Sequence, residues 1–157
     1  MNWLTGSKLG EARKLVKQLQ DGMKRKQATA ELVRFGAEAA PALIEALQTK
    51  DPNLLPLYQG ILARIGTAAT PALTHSLLND HPLIRGRVAE VLAQTRDPKS
   101  VSALLEALRG EFYTVRGGAA RALGEIGDQS AVEPPLEILK DPELEARIGA
   151  VIGLGMF

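Results

Sequence analysis

Apolar residues recur along this chain at spacings of three and four, which is the pattern of an amphipathic α-helix. The first such stripe lies in residues 7–20 and consists of Leu9, Ala12, Leu15, Val16 and Leu19. Lysines occupy its opposite face, and Ser7 is a reasonable N-cap. Similar stripes follow to the end of the chain, separated by glycines and by Asp-Pro pairs that end a helix. The pattern predicts an all-α protein.

The predicted helices come in pairs that repeat with a period of roughly 30 to 31 positions, a length typical of short solenoid repeats. Moving residues 116–141 back by one period superposes identical residues: Arg85 on Arg116, Leu92 on Leu123, and Asp97 on Asp128. The turn positions share this period and hold Gly36, Gly66, Arg96 and Gly127. A helix pair repeated at this length predicts an α-solenoid, in which each repeat packs on the next.

We expect one domain, residues 1–157, with about four and a half repeats. Its predicted parts are a capping helix at 1–24, full repeats at 25–54, 55–84, 85–115 and 116–146, and a truncated fifth repeat at 147–157. The first helix is assigned as a cap because a terminal repeat must present a wettable outer face. Trp3 and Leu4 are expected to fold over its end.

Small residues crowd the first helix of each pair. They are Ala28, Ala30, Gly60, Gly86, Ala89, Gly117 to Ala120, Gly149 and Ala150. A glycine inside a helix costs roughly 0.5–1 kcal/mol relative to alanine, so its repeated use needs a structural reason. We expect the first helices of neighbouring repeats to approach each other closely.

The stretch from Arg116 to Val132 follows the pattern R-x-x-A-A-x-A-L-G-x-I-G-D-x-x-A-V. This pattern resembles the short HEAT-like repeat of the phycobilisome-lyase type, and the resemblance extends over residues 25–157, strongest at 85–157. It implies a right-handed superhelix whose second helices line the concave side. Repeats of this type occur in scaffolds, in bilin lyase subunits and in chromophore-handling chaperones. We therefore expect a non-enzymatic protein-interaction scaffold or adaptor. The alternative is a subunit of a bilin lyase or chromophore chaperone that acts on phycobiliprotein.

Four arginines occupy matching positions at the predicted starts of first helices: Arg25, Arg85, Arg116 and Arg147. Each can fork to a nearby closing carboxylate or to the unpaired carbonyls at the end of the preceding helix. We predict a structural role for these arginines rather than an anion-binding one. The turn glycines Gly36, Gly66 and Gly127 are predicted to be structural as well.

A candidate binding surface comes from the register of the second helices. Glu45, His75, Glu106 and Glu137 each lie two residues past the first core position, which is occupied by Leu43, Leu73, Leu104 or Pro135. They are expected to align on the concave side with three flanking residues, Asn79, Arg109 and Lys140. A basic or hydrogen-bonding protein segment fits this column better than a metal, whose ligands must all lie within about 2 Å of one ion.

The remaining chemistry of the sequence argues against an enzyme, a cofactor or a metal. There is no cysteine, and the only histidines are His75 and His81. HEAT-like di-iron hydroxylases require several His-Glu pairs, which this chain lacks. HEAT-like DNA glycosylases use aromatic side chains and a basic face, whereas residues 27–124 carry ten basic against nine acidic side chains. No nucleic-acid partner is expected.

Charge is distributed unevenly along the predicted solenoid. Residues 1–26 carry seven Lys or Arg against two acids, a balance of +5, whereas residues 125–157 carry two against seven, a balance of −5. No apolar run approaches the roughly 18 residues of a membrane span, and the N-terminus lacks the apolar core of a signal peptide. We expect a cytoplasmic protein that does not enter a membrane.

Two stretches raise the question of protein contacts. Residues 147–157 supply Ile148, Val151, Ile152, Leu154, Met156 and Phe157, with no charged residue after Arg147. An uncovered repeat face of this kind exposes apolar surface that favours association. We therefore predict either a longer solenoid or self-association through this C-terminal edge. The aromatic pair Phe112 and Tyr113 could be an interaction hot spot, but we favour Phe112 sealing the inter-repeat loop against the core.

Overall fold

The computed structural model describes residues 3–157, and the side chains of residues 3–7 and of residue 79 lie outside that description. The α-helices are α1 (Trp3–Gln18), α2 (Arg25–Phe35), α3 (Ala40–Ala46), α4 (Leu54–Ile65), α5 (Thr70–Asn79), α6 (Pro82–Thr95), α7 (Val101–Ala107), α8 (Tyr113–Ile126), α9 (Glu133–Ile138) and α10 (Leu144–Leu154). Short 3-10 turns join the two helices of a pair, and no strand occurs among the described residues. The all-α prediction is confirmed.

The helices stack in two rows. The first helices α2, α4, α6, α8 and α10 pack successively on one another, and α3, α5 and α7 form the second row together with α9. Each second helix also packs against the first helix that follows it. This is the architecture of an α-solenoid, in which each repeat packs mainly on its neighbours.

Helix α1 differs from its prediction in bounds, and its contacts define its place in the array. It begins at Trp3, so Ser7 lies inside the helix and is not its N-cap. It packs against both α2 and α3, which are the contacts that a second helix makes elsewhere in the array. Helix α1 therefore occupies the place of a second helix. The predicted packing of Trp3 and Leu4 concerns side chains outside the described set.

The core follows the repeat period. Fully buried leucines recur at matching positions on both rows: Leu32, Leu62, Leu92 and Leu123 on the first helices, and Leu43, Leu73 and Leu104 on the second. Burying each such side chain contributes about 1.5–3 kcal/mol relative to leaving it in water. The repeated leucine layer between the two rows is thus the main source of stability in every repeat.

The turns after α2, α4, α6 and α8 each contain a residue with positive φ. Gly36, Gly66 and Gly127 have φ of 60°, 70° and 73°, a region that glycine enters without a steric penalty. Arg96 takes the same slot with φ of 50° and is the sole non-glycine residue with positive φ in residues 3–157. The period predicted these four positions correctly.

Glycine packing joins the first helices of the C-terminal half. A Cβ atom added at Gly124 on α8 would overlap the backbone of Gly153 on α10, and one added at Gly149 would overlap the backbone of Gly117. The predicted close approach is therefore present at the contact between α8 and α10. It is absent at Gly60 on α4, where an added Cβ would meet nothing within 4 Å. For this glycine the packing interpretation was wrong.

The four arginines all donate to backbone carbonyls near the end of the preceding repeat. Arg25 donates to the Leu19 carbonyl at 2.9 Å, and Arg85 donates to the Leu77 carbonyl at 2.6 Å. Arg147 donates to the carbonyls of residues 141 and 142 at 2.7 and 2.8 Å. Arg85, Arg116 and Arg147 lie in the fourth position of their helices, one turn later than predicted, because these helices begin earlier than the arginines suggested.

Arg116 makes the most extensive set of contacts. Its guanidinium donates to the carbonyls of Gly110 and Glu111 and forks to both carboxylate oxygens of Asp141, at 2.5 and 2.8 Å. Both side chains are largely buried, with 14% and 6% of their surfaces exposed. The hydrogen bonds from Arg116 are the main reason why the pKa of Asp141 lies below its ordinary value. This pair ties the start of α8 to the turn before α10.

Phe112 does not seal the loop against the core. Its side chain is 37% exposed, and that of the neighbouring Tyr113 is 40% exposed. Phe112 precedes α8 with an extended backbone, and its carbonyl accepts hydrogen bonds from the amides of Val115 and Arg116. Its backbone thus starts the helix while its ring remains at the surface.

Candidate functional site

The predicted binding residues share one register on the second helices. Glu45, His75 and Glu106 are the sixth residues of α3, α5 and α7, and Glu137 is the fifth residue of α9. All four are exposed, and the residue two positions before each is buried. Because a helical turn brings positions i and i+2 to nearly opposite sides, burial of one directs the other to solvent. Alignment of the four side chains as one binding column remains a prediction.

The N-terminal member of this column is engaged within the chain. Arg13 on α1 donates to both carboxylate oxygens of Glu45, from Nε at 2.9 Å and from Nη2 at 2.7 Å. These hydrogen bonds are the largest cause of the lowered pKa of Glu45. Each side chain is about half exposed, so the pair adds little to stability. Its effect is to neutralise the Glu45 charge, which leaves α7 and α9 as the better part of the column for a charged partner.

A groove of about 280 Å³ lies between α7 and α9. Its apolar lining comes from Leu105 and Leu108 on one side and from Pro134, Leu136 and Ile138 on the other. Three of the predicted residues, Arg109, Glu137 and Lys140, also line it, together with Glu133. The groove therefore combines an apolar floor with charges of both signs. We call this set of residues the α7–α9 groove.

The groove exists because the second helices diverge here. Helix α9 packs on α8 and α10 but contacts α7 little, whereas on the opposite row the backbones of α8 and α10 touch through glycine. The first helices are therefore close together while the second helices are further apart, which leaves a cleft between the second helices. The surface at α7 and α9 is therefore a groove and not the continuous concave face that we expected.

The other four predicted residues fall outside the groove or outside the described side chains, and one of them is Glu45 on α3, which is paired with Arg13. Glu106 is exposed on α7 but does not line the groove. His75 is exposed on α5, the neighbouring helix of the second row. The side chain of Asn79 lies outside the described set.

Sequence reasoning missed the apolar floor. Leu136 is 40% exposed, although an amphipathic helix is expected to bury such a residue. The available signal was the spacing of Leu136 and Ile138 in α9. Residues two positions apart lie on nearly opposite sides of a helix, so burial of Ile138 leaves Leu136 facing outward.

Chemically the groove can hold a polypeptide segment through apolar contact and charged hydrogen bonds. Among residues 3–157, no three His, Asp or Glu side chains come together as a metal-ligand set. None of the described helices combines the length and the hydropathy that crossing a bilayer requires.

Comparisons with known proteins agree with this architecture. Residues 84–110 match the model of the PBS lyase HEAT-like repeat, and residues 101–157 match the model of HEAT repeats. A search of curated proteins found no match for the chain. Among solved structures, the crystal structure of an engineered protein, a target of the Northeast Structural Genomics Consortium, matches with a TM-score of 0.54. It is 20% identical, and the match covers 93% of this chain and 78% of that one, a likeness that concerns the fold.

The matched residues lie in the C-terminal part of the chain. Residues 84–157 include nearly all of α6 and the whole of α7, α8, α9 and α10, where the sequence pattern was also strongest. The resemblance stated from the sequence is confirmed by both family matches. The chain contains HEAT-like repeats, which the two matches place in residues 84–157.

Proposed function

We propose that this protein is a non-enzymatic adaptor that binds a segment of a partner protein in the α7–α9 groove. HEAT repeats generally mediate protein interactions, and this chain has the corresponding scaffold. The observation that carries the proposal is the groove itself, which joins an apolar floor to Arg109, Glu137 and Lys140. Apolar contact supplies affinity, and the flanking charges fix the orientation of the bound segment.

The chemistry of the groove favours an amphipathic segment with at least one basic residue. The exposed face of Leu136 offers an apolar contact, and Glu133 and Glu137 lie beside it. Residues 125–157 carry two basic side chains against seven acidic ones, so the surroundings of the groove attract a cation. Arg109 and Lys140 can pair with an acidic residue or a backbone carbonyl of the same segment. Self-association through the C-terminal end belongs to this proposal as a second contact.

The test begins with a partner identified by mass spectrometry after a pulldown. Its binding is then measured by fluorescence anisotropy at low and at high salt with the double variant Glu133→Lys, Glu137→Lys, both of which line the groove, and with Leu136→Asp. We expect each to weaken binding about tenfold or more, and the charge reversal to lose more at low salt than at high salt. Leu136→Asp acts through the apolar floor and should weaken binding at both salt concentrations.

The matched control is Glu11→Lys, Glu111→Lys, which changes the net charge equally at two exposed positions outside the groove. Unaltered affinity in both groove variants would contradict the groove as the binding site. A covalent visible chromophore on phycobiliprotein after incubation with free bilin would contradict the non-enzymatic assignment and favour the lyase-subunit alternative.

A further inference from the structure

A groove of about 480 Å³ lies between the first helices α2 and α4. Ala30 on α2 lies two positions before the buried Leu32, so it faces away from the leucine layer. Arg64 on α4 lies two positions after the buried Leu62 and faces the same way. The groove is therefore on the outer side of the row of first helices, whereas the α7–α9 groove belongs to the other row. We call it the α2–α4 groove, and its lining includes Arg25, Lys26, Thr29, Ala30, Leu57 and Arg64.

The α2–α4 groove differs from other grooves of this protein in the sign of its charge. The α7–α9 groove is lined by two basic and two acidic side chains. A groove across α6, α8 and α10 also has two of each, and a groove between α1 and α2 has one basic and two acidic side chains. The α2–α4 groove has three basic side chains, and no carboxylate belongs to the lining that the described residues form. Its electrostatic field therefore favours an anion.

Two of the three cations have no partner within the described part of the chain. Arg25 donates to the Leu19 carbonyl at 2.9 Å, which is the structural role predicted for it. Lys26 and Arg64 are exposed, and neither side chain forms a hydrogen bond or an ion pair among the described residues. Lys26 and Arg64 can therefore bind an external carboxylate without breaking an internal contact.

The acidic residues nearest to the groove in sequence are engaged elsewhere. Asp21 accepts a hydrogen bond from the amide of Met23 at 2.9 Å. Glu31 accepts a hydrogen bond from the side chain of Gln27 at 3.0 Å and lines the groove between α1 and α2. Residues 1–26 carry seven Lys or Arg against two acids, so the surroundings also attract negative charge.

The repeat fixes the distance between the two free cations. Gly36 and Gly66 are equivalent turn positions after α2 and α4. Lys26 lies ten residues before Gly36, and Arg64 lies two residues before its own turn glycine. Because a helix rises about 1.5 Å per residue, this difference of eight residues places Arg64 about 12 Å further along the groove. Leu57 lies nine residues before Gly66, at nearly the level of Lys26. An extended polypeptide covers a similar distance in about four residues.

We propose that the α2–α4 groove binds an acidic polypeptide segment with two carboxylates about four residues apart and an apolar residue between them. Lys26 pairs with one carboxylate and Arg64 with the other, while Leu57 contacts the apolar residue. A nucleic acid fits less well, because no aromatic side chain of the described residues lines the groove for base stacking. The groove across α6, α8 and α10 also interrupts the positive charge that successive phosphates need.

The first test is fluorescence anisotropy at low salt with the labelled peptide Gly-Ser-Glu-Ser-Leu-Ser-Glu-Ser-Gly. The α2–α4 groove shares no residue with the α7–α9 groove, so the outcome is independent of the proposed function. We expect saturable binding that weakens with salt and that Lys26→Glu, Arg64→Glu weakens at least about tenfold. Lys26→Arg, Arg64→Lys should retain binding, and glutamine in place of both peptide glutamates should abolish it. No saturable binding at several hundred micromolar protein would overturn the proposal.

Two further variants separate the groove from the overall charge. Lys14→Glu, Lys99→Glu is the matched control, because it changes the net charge equally at two exposed positions outside the groove. Ala30→Trp fills the groove without changing its charge and should weaken binding about tenfold. Unchanged melting temperatures would show that the variants fold. Equal weakening by the control pair, or unaltered binding in Ala30→Trp, would show that the peptide does not bind in this groove.

Competition identifies the chemical class of the occupant. Inorganic phosphate, oligothymidylate and phosphatidylserine vesicles are each added to the complex with the labelled peptide. We expect the unlabelled acidic peptide to displace the labelled one at a lower concentration of negative charge than any of the three. More effective displacement by oligothymidylate, by vesicles or by phosphate would assign the groove to a nucleic acid, a lipid headgroup or a small anion and would refute the acidic segment.

Discussion

The first helices of the N-terminal and C-terminal halves follow the same sequence rule and pack differently. On α8 and α10, glycines face each other across the contact, and the two backbones touch. On α4, Gly60 occurs within a comparable helix, yet the space beside it is open. A glycine in one helix therefore permits close approach but does not bring it about, because the facing helix must also present a small residue at the same level.

Where the first helices stand further apart, polar side chains bridge the gap. Gln59 on α4 donates to the Glu90 carboxylate at 2.6 Å and to the Arg87 carbonyl at 3.3 Å. Arg87 in turn donates to the carbonyls of Leu47 and Thr49 after α3, the latter at 2.9 Å. These bonds join three successive repeats. In the N-terminal half, neighbouring repeats are thus joined by hydrogen bonds from long side chains. In the C-terminal half, they are joined by direct contact between helix backbones.

The largest expected effect comes from adding one methyl group to the tight contact. In Gly149→Ala the new Cβ meets the Gly117 backbone, so α8 and α10 must move apart. We expect a loss of about 3 kcal/mol or more, at the upper end of the range for overpacking, because neither backbone can rotate away. Urea unfolding, followed by circular dichroism at low micromolar protein concentration, measures this loss of stability. A stable variant with an unchanged midpoint would show that this contact is looser than described.

A smaller effect is expected for the buried ion pair that also ties α8 to the turn before α10. Arg116→Ala removes the partner of Asp141, which is 6% exposed, and should lower the free energy of unfolding at pH 7 by about 1–3 kcal/mol. The variant should retain partner binding, since the predicted role of Arg116 is structural. An unchanged midpoint with loss of binding would reverse that assignment.

The same pair predicts a pH dependence. The pKa of Asp141 is lower in the folded protein than in the unfolded chain, whose aspartate pKa is about 3.9. Its stabilising contribution is therefore complete above that value and is lost as pH falls through the lower, folded pKa. The stability difference between Arg116→Ala and the unmodified protein should shrink accordingly in acid. Arg85→Ala is the control, because the Nε of Arg85 donates to the Leu77 carbonyl, which does not titrate in this range.

The comparison also shows how far the sequence alone predicts this molecule. The leucine layer and the four turn positions follow from the repeat period, since each depends on one residue and its place within its own helix. The separation between helices does not follow, because it depends on pairs such as Gly124 with Gly153 that belong to different repeats. The α7–α9 groove escaped prediction for the same reason: it arises where one row is held tightly and the other is not.

Two local errors have a similar origin. Phe112 was expected to seal the inter-repeat loop against the core, whereas it lies one residue before α8 and is 37% exposed. The start of helix α1 was placed at Ser7 as an N-cap, whereas the helix begins at Trp3 and packs against α2 and α3. In both cases the tertiary neighbours decide the role, and a single sequence does not reveal them.

The smallest expected effect tests the central claim most directly, because its sign is opposite to that of Gly149→Ala. Gly60→Ala places a methyl group in open space inside a helix, where alanine is favoured over glycine by about 0.5–1 kcal/mol. The account predicts that Gly60→Ala raises the urea midpoint while Gly149→Ala lowers it, in the same buffer and at the same protein concentration. Destabilisation by both substitutions would mean that the first helices touch throughout the solenoid, and would contradict the division into a bridged half and a close-packed half.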